Sequence, residues 1–256
     1  MKLPILFLTL ATAASYAANF GTDTADDPAY DAPGGWQSGD NGGTPGAFGA
    51  WTLTNQGANS GHFIGDSTTL APGNTGADIN STGESFGMFG HSGQTSEAFR
   101  DFNGMTLSVG QSFSIDLAVN FRNGNKGFDL RDSSNAVLFN LNVGSNDYIV
   151  SLAATGNGSI GNTYDPKTKF TLTFLQTSLL NGTWTIVRAG GVSDNDTGTY
   201  SGAAHNIKLY NSQTTGGGAA SDNLYANNLK IVPEPSAAAL LGAAALSLGG
   251  LRRRRA

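Results

Sequence analysis

Residues 112–121 read SFSIDLAVNF. Phe113, Ile115, Leu117, Val119 and Phe121 occupy every second position, with Ser112, Ser114, Asp116 and Asn120 between them. Successive side chains of a β-strand point to opposite faces, so this strict alternation predicts a strand with one face buried. AVLFNLNV (136–143) repeats the device with Val137, Phe139, Leu141 and Val143 inward. So do KFTLTFL (169–175), through Phe170, Leu172 and Phe174, and GTWTIVR (182–188), through Trp184 and Ile186. HNIKLY (205–210) and NNLKIV (227–232) contribute Ile207, Leu209, Leu229 and Ile231. FGAWTLT, SFGMFGH, EAFRDF, KGFDLRD and DYIVSLA read as further strands. Helical spacing is absent outside the two ends of the chain.

The connectors suit hairpins. RNGNKG (122–127) joins two strand-like runs through Asn-Gly, a strong tight-turn signal. NVGSND, LLNGTW and RAGGVSDNDTG read the same way. About eleven short strands with short links predict an all-β fold, an antiparallel two-sheet β-sandwich of the jelly-roll kind. Composition agrees. Of 256 residues, 36 are glycine, 13% are charged and 9% are aromatic, which suits many strands and turns better than disorder. Cysteine is absent, which excludes disulfides, thiol chemistry and thiolate zinc sites.

Both ends differ from this body. MKLPILFLTLATAASYAANF (1–20) has one lysine, an apolar run, and small residues Ser15 and Ala17 at the third and first positions before a cut. It reads as a secretory signal peptide over 1–17, cleaved between Ala17 and Ala18, and implies passage through the Sec translocon and signal peptidase. Ser236 to Leu251 form 16 uncharged residues, followed by Arg252, Arg253, Arg254 and Arg255. As a helix the run spans ~24 Å, short of a ~30 Å hydrocarbon core. The arginine stems recover part of that length, and their charge holds this end on the cytoplasmic side. A single C-terminal transmembrane helix is therefore expected over 236–251. Pro233 and Pro235 keep the residues before it extended.

Val232-Pro233-Glu234-Pro235-Ser236, a short apolar span and a terminal arginine cluster together resemble the PEP-CTERM sorting signal of Gram-negative-type bacteria. The resemblance covers Val232 to Arg255. It implies an exosortase, a membrane-embedded cysteine transpeptidase, as a partner that cuts at or near Pro233-Glu234-Pro235. On that reading the membrane anchor is transient. The exported product passes from an inner-membrane intermediate to the cell surface, outer membrane or extracellular polysaccharide matrix. SDNLYANNLKIVPEP also resembles the closing strand of lectin-like, concanavalin A-like β-sandwiches found ahead of such tails. The expected organisation is a signal peptide over 1–17, an irregular lead-in over 18–46 that packs Trp36 onto the sandwich, the sandwich over 47–232, and the sorting signal over 233–256.

The exported middle, 18–232, has nine Lys and Arg against eighteen Asp and Glu, a net charge of −9. Such an acidic body repels nucleic acid. It carries only two glutamates, Glu84 and Glu97, and no E-x-D-x-x-E strand, so nothing marks it as a glycosidase or another enzyme. His62, His91 and His205 lack short metal-ligand spacing. No G-x-S-x-G elbow, phosphate loop or dinucleotide fingerprint occurs. Calcium is the only small-ion candidate, at Asp194, Asn195 and Asp196 in SDNDTGT, or Asp26, Asp27 and Asp31 in TADDPAYD. Acidic turns are common without an ion, because Asp and Asn suit turn geometry. Trp36, Trp51, Trp184, Tyr148, Tyr164, Tyr200, Tyr210 and Tyr225 are the aromatics that could stack on sugars, although Trp51 and Trp184 sit in alternating runs that favour core packing. The expectation is a non-enzymatic structural or adhesive surface protein, with a carbohydrate-binding, lectin-like module of the exopolysaccharide as the alternative.

Overall fold

The computed structural model describes residues 20–31, 33–69, 75–119, 121–145, 147–152, 156–212, 214 and 222–233. Its strands are β1 (Gly21–Asp23), β2 (Thr52–Asn55), β3 (Ser60–Gly65), β4 (Ser85–Gly90), β5 (Thr95–Asp101), β6 (Gln111–Val119), β7 (Asn125–Arg131), β8 (Val137–Asn142), β9 (Ile149–Leu152), β10 (Gly156–Ser159), β11 (Lys169–Ser178), β12 (Asn181–Ala189), β13 (Asp194–Ser201), β14 (Asn206–Ser212) and β15 (Leu224–Pro233). The first sheet runs β13-β12-β11-β6-β15-β4-β3, with β1 also paired to β15; the second runs β10-β9-β8-β7-β14-β5-β2. Every pairing between these strands is antiparallel. The all-β, two-sheet expectation therefore holds, with fifteen strands among the described residues where about eleven were expected.

The alternating residues form the core between the sheets. Phe113, Ile115 and Leu117 of β6 are fully buried, as are Phe170, Leu172 and Phe174 of β11. They meet the second sheet through aromatic contacts: Phe113 lies 6.2 Å from Phe128, Phe128 lies 5.3 Å from Phe174, and Phe139 meets Phe174 edge-on at 4.9 Å. These rings exclude water from both inner faces at once, which is the main source of stability for a sandwich without disulfides.

Several local expectations change. RNGNKG is no hairpin: β6 lies in the first sheet and β7 in the second, so the Asn-Gly segment crosses between them. Lys126 fixes the crossing by donating to Phe121 O at 2.8 Å, Asn123 Oδ1 at 3.0 Å and Asp222 O at 2.8 Å. Phe121, expected inward, lies past the end of β6 and is exposed. LLNGTW does form a hairpin, but Leu179 and Leu180 make its turn and Asn181-Gly182 already belong to β12. The lead-in is not wholly irregular. It supplies β1, a short 3-10 helix at Pro28–Tyr30, and the buried side chains of Tyr30 and Trp36.

The tandem asparagines of ANNL shape the last strand. The β15–β6 register shifts between Asn227 and Lys230, and Asn228 takes a positive φ of 56° at this bulge. The buried Asn227 accepts from Ala25 N at 3.0 Å and donates to Ile79 O at 3.0 Å and Glu84 O at 2.9 Å. One amide thus ties the lead-in and a covering loop to β15. That loop buries Ala77 and Ile79 over the outer side of the first sheet, against Ala118 and Tyr225.

β15 continues through Pro233, which pairs with Gln111, one residue into the expected sorting signal. The expected signal peptide with its Ala17–Ala18 cut, Glu234, Pro235, the span 236–251 and Arg252 to Arg255 lie outside the described residues. Among the described residues, no helix is long and apolar enough to cross a membrane.

Candidate functional site

A loop covers the first sheet, and the second sheet turns a row of half-buried polar side chains away from the core. On β14, Ile207 and Leu209 point into the core, so Lys208 and Tyr210 point out. The same alternation turns Glu97, Phe99 and Asp101 of β5 outward, with Asp129 and Arg131 of β7 and Asn140 and Asn142 of β8. The registers assemble these into rows. Thr52, Phe99, Lys208, Asp129, Asn140 and Ser151 stand side by side, and Asp101, Asn206 and Arg131 form the next row.

Four of the charges on this face pair with one another, and Asp101 accepts from Gly104 N at 3.1 Å. Asp129 Oδ2 accepts from Arg131 Nε at 3.0 Å and Nη2 at 2.6 Å, and lies 3.4 Å from Lys208 Nζ. Its Oδ1 accepts from Asn140 Nδ2 at 2.7 Å. Lys208 also donates to Glu97 Oε1 at 3.0 Å. Asn140 donates to Tyr210 Oη at 2.8 Å, which fixes the phenol over the sheet, and burial raises the Tyr210 pKa above its usual value. Tyr210 lies across Gly127, where an added Cβ would clash with Leu141 O and stand 2.9 Å from Tyr210 Oη. The cations Arg131 and Lys208 rest 5.7 Å and 6.0 Å from the Phe99 ring.

At the Asp101 end the face sinks into a depression of about 260 Å³, lined by Thr52, Phe99, Asp101, Asn135, His205 and Asn206 among others. Asn206 Nδ2 is used, donating to Asp132 O at 3.1 Å and Asn135 Oδ1 at 3.0 Å. Its Oδ1 is buried without a hydrogen-bond partner. An orphaned acceptor costs ~1–3 kcal/mol of desolvation, and this one is shielded from solvent. The half-buried Phe99 ring stands beside Thr52, Asp101 and His205 in the depression, and one apolar face with several polar edges suits a hydroxylated ring.

The residues singled out in the sequence fall elsewhere. Asp194, Asn195 and Asp196 open strand β13 instead of forming a loop. The carboxylates of Asp194 and Asp196 both bind the buried Arg188 guanidinium. Asp26 accepts from the Thr24 and Thr82 hydroxyls, and Asp27 from Ala29 N and Gly43 N. Asp26, Asp27, Asp194 and Asp196 thus spend oxygens on the chain itself, and no group of three or more His, Asp or Glu side chains that could hold a metal converges among the described residues. The histidines stay apart. His62 packs edge-on against Trp36 at 5.2 Å, His91 bonds Thr214 Oγ1 at 2.8 Å, and His205 lines the depression. Trp36, Trp51, Trp184, Tyr148, Tyr200 and Tyr225 belong to the interior, which leaves Tyr164 and Tyr210 partly accessible. Phe99, Asp129, Arg131, Asn140, Lys208 and Asn206 were not foreseen. The available signal was the opposite charge at outward positions of the alternating runs FRD, FDLRD and IKLY.

No family model matches the chain, and no curated protein matches it. Among solved structures, the galectin LEC-6 of Caenorhabditis elegans is 14% identical over 50% of this chain and 88% of its own, with a TM-score of 0.33. The alginate lyase AlgAT5 of polysaccharide lyase family 7 is 13% identical over 64% and 83%, at 0.40. The botulinum neurotoxin type C, in a structure concerned with its two ganglioside molecules, is 15% identical over 72% and 44%, at 0.39. At these values neither a common ancestor nor a common site follows. The class of this protein rests on its own two sheets: an antiparallel β-sandwich with a charge-paired polar face.

Proposed function

We propose that this chain is an exported surface or matrix protein whose sandwich holds neutral polysaccharide on the outer face of its second sheet. The observation that carries the reading is the depression in which the half-buried Phe99 ring stands beside the polar side chains of Thr52, Asp101 and His205. Neutral glycan is favoured because Asp129, Glu97, Arg131 and Lys208 are already paired and offer hydrogen bonds without net charge. The −9 charge of residues 18–232 disfavours polyuronates further. A binding role is favoured over catalysis, since Glu97 and the buried Asp129 are each held by a cation and Asp101, in the depression, is the one carboxylate among its lining residues, without the second that acid–base hydrolysis of a glycoside uses. The test is a glycan array probed with the full chain in detergent. Neutral glucans, galactans or mannans are expected to bind and uronic-acid polymers are not; cleavage products in the same wells would replace the binding role with a lytic one.

The resemblance of Val232 to Arg255 to a PEP-CTERM signal supports sorting of this protein by an exosortase, after export through the Sec translocon. Intact-mass measurement of protein recovered from the cell surface tests this part. Loss of residues 1–17 and of Arg252 to Arg255 is expected, and retention of the arginines would refute it.

A further inference from the structure

Among the described residues seven large apolar side chains are exposed: Phe20, Met105, Val109, Phe121, Leu179, Leu180 and Val187. Five of them gather at one pole of the sandwich. The pole is fixed by register. Pro233 pairs with Gln111, so the chain leaves β15 beside the start of β6. Gly21 pairs with Ile231, which sets the preceding Phe20 next to the same exit. Gly110 N donates to Gln176 O at 2.8 Å, and Gly202 N to Leu180 O at 2.8 Å, which places Val109 and the β11–β12 turn there as well. Leu107 N donates to Ala204 O at 2.8 Å and brings the Met105 loop onto this end. The exposures are 79% for Leu179, 68% for Leu180, 64% for Phe20, 54% for Val109 and 42% for Met105. The two segments that supply the loop and the hairpin carry no charge between Asp101 and Asp116 or between Lys169 and Arg188.

A tight turn ordinarily carries Gly, Asn or Asp, so two leucines standing in water at a hairpin tip call for an occupant. The chain beyond Pro233 indicates which one, because 16 uncharged residues and four arginines follow within a few positions. We propose that this pole rests on the lipid bilayer, with Leu179 and Leu180 in the interfacial layer and Val109, Met105 and Phe20 around them. The inference rests on reading residues 236–255 as a membrane anchor and adds a second, peripheral contact to it. An apolar tip without charges enters the headgroup region and desolvates no ion in doing so. The sandwich would then stand upright on the membrane during sorting, with the depression at the Asp101 end of its polar face in the membrane-proximal half.

The cysteine-free chain makes the test direct. Full-length protein carrying Leu180→Cys, labelled with an environment-sensitive fluorophore, is reconstituted into vesicles of phosphatidylcholine and phosphatidylglycerol containing a lipid with a headgroup-depth nitroxide. Ser193→Cys, on the exposed β12–β13 turn at the opposite pole, is the control. The expected result is a blue-shifted label at 180 quenched at least threefold more than the label at 193. Vesicle-bound protein with both labels aqueous would overturn the docking and leave the anchor reading intact. Failure to associate with vesicles would overturn both. A blue shift at 180 that follows protein dilution and ignores the quencher would identify a second copy as the occupant and overturn the bilayer.

Discussion

Arg100 and Asp23 form an ion pair whose two side chains are fully removed from solvent, and it joins β5 of the second sheet to β1 of the first. The guanidinium is satisfied on every side. Nε donates to Gly49 O at 3.0 Å, Nη1 to Tyr30 Oη at 3.0 Å, and Nη2 to Asn41 Oδ1 at 3.1 Å and Gly42 O at 3.0 Å. It lies 4.9 Å from the Phe48 ring and 4.8 Å from that of Trp51. Burial raises the Asp23 carboxyl pKa, although Arg100 pulls it down. One side chain therefore organises residues 21–51. Removing either partner strands a buried charge, and Arg100→Met is expected to cost ~3–5 kcal/mol in urea unfolding. The double variant Arg100→Met, Asp23→Leu should recover part of that loss; an Arg100→Met variant of native stability would refute this role.

Stability should fall in mild acid because of His62. Its burial pushes the imidazole pKa from 6.5 down to about 4. The unfolded chain takes up the proton first as pH drops, so the contribution is complete above pH 6.5 and is lost as pH falls through 4. The slope of unfolding free energy against pH between 6.5 and 4 should be shallower in His62→Phe than in the native protein. Equal slopes would show that His62 is solvated.

Gly127 is required by proximity. A methyl group there would meet Leu141 O on β8 and the Tyr210 hydroxyl together. Gly127→Ala is expected to cost on the order of 1–3 kcal/mol as the strands separate, and to weaken glycan binding by displacing Tyr210. A melting curve and a binding isotherm on the same sample check both.

Asn227→Ala would leave Ala25 N without its acceptor, while Ile79 O keeps Asn228 Nδ2 at 3.3 Å and Glu84 O keeps Ser81 N at 2.9 Å. The orphaned donor costs ~1–3 kcal/mol. Hydrogen exchange should accelerate around residues 25 and 79–84 while β11 and β12 stay protected. Uniform acceleration would show that the amide stabilises the whole fold instead of these attachments.

The sandwich was legible where alternation was clean. β6, β8, β11, β12, β14 and β15 announce themselves because their inward positions carry Phe, Ile, Leu, Val or Trp. β1, β10 and β13 (GTD, GNGS and DNDTGTYS) lack that signal, and their strand character comes from a neighbour's backbone. β3 escaped notice through its glycines. The Asn-Gly of RNGNKG misled because sheet membership is decided at long range: β6 finds β11 and β15, while β7 finds β8 and β14. The polar face was illegible for the same reason. Thr52, Phe99, Lys208, Asp129 and Asn140 become neighbours only when strands far apart in sequence pair, so no local window contains the site.

The central claim is that the Phe99–Asn206 depression holds a neutral glycan, and it is tested most directly by calorimetric titration of the full chain and of Phe99→Ala with the neutral oligosaccharide that binds best on the array. Phe99 stands on the outer side of β5 and outside the core, so the variant should fold with a modestly lower melting temperature and lose about tenfold in affinity, ~1.4 kcal/mol. Unchanged affinity in a folded Phe99→Ala variant, or tighter binding of an anionic oligosaccharide than of a neutral one, would contradict the account.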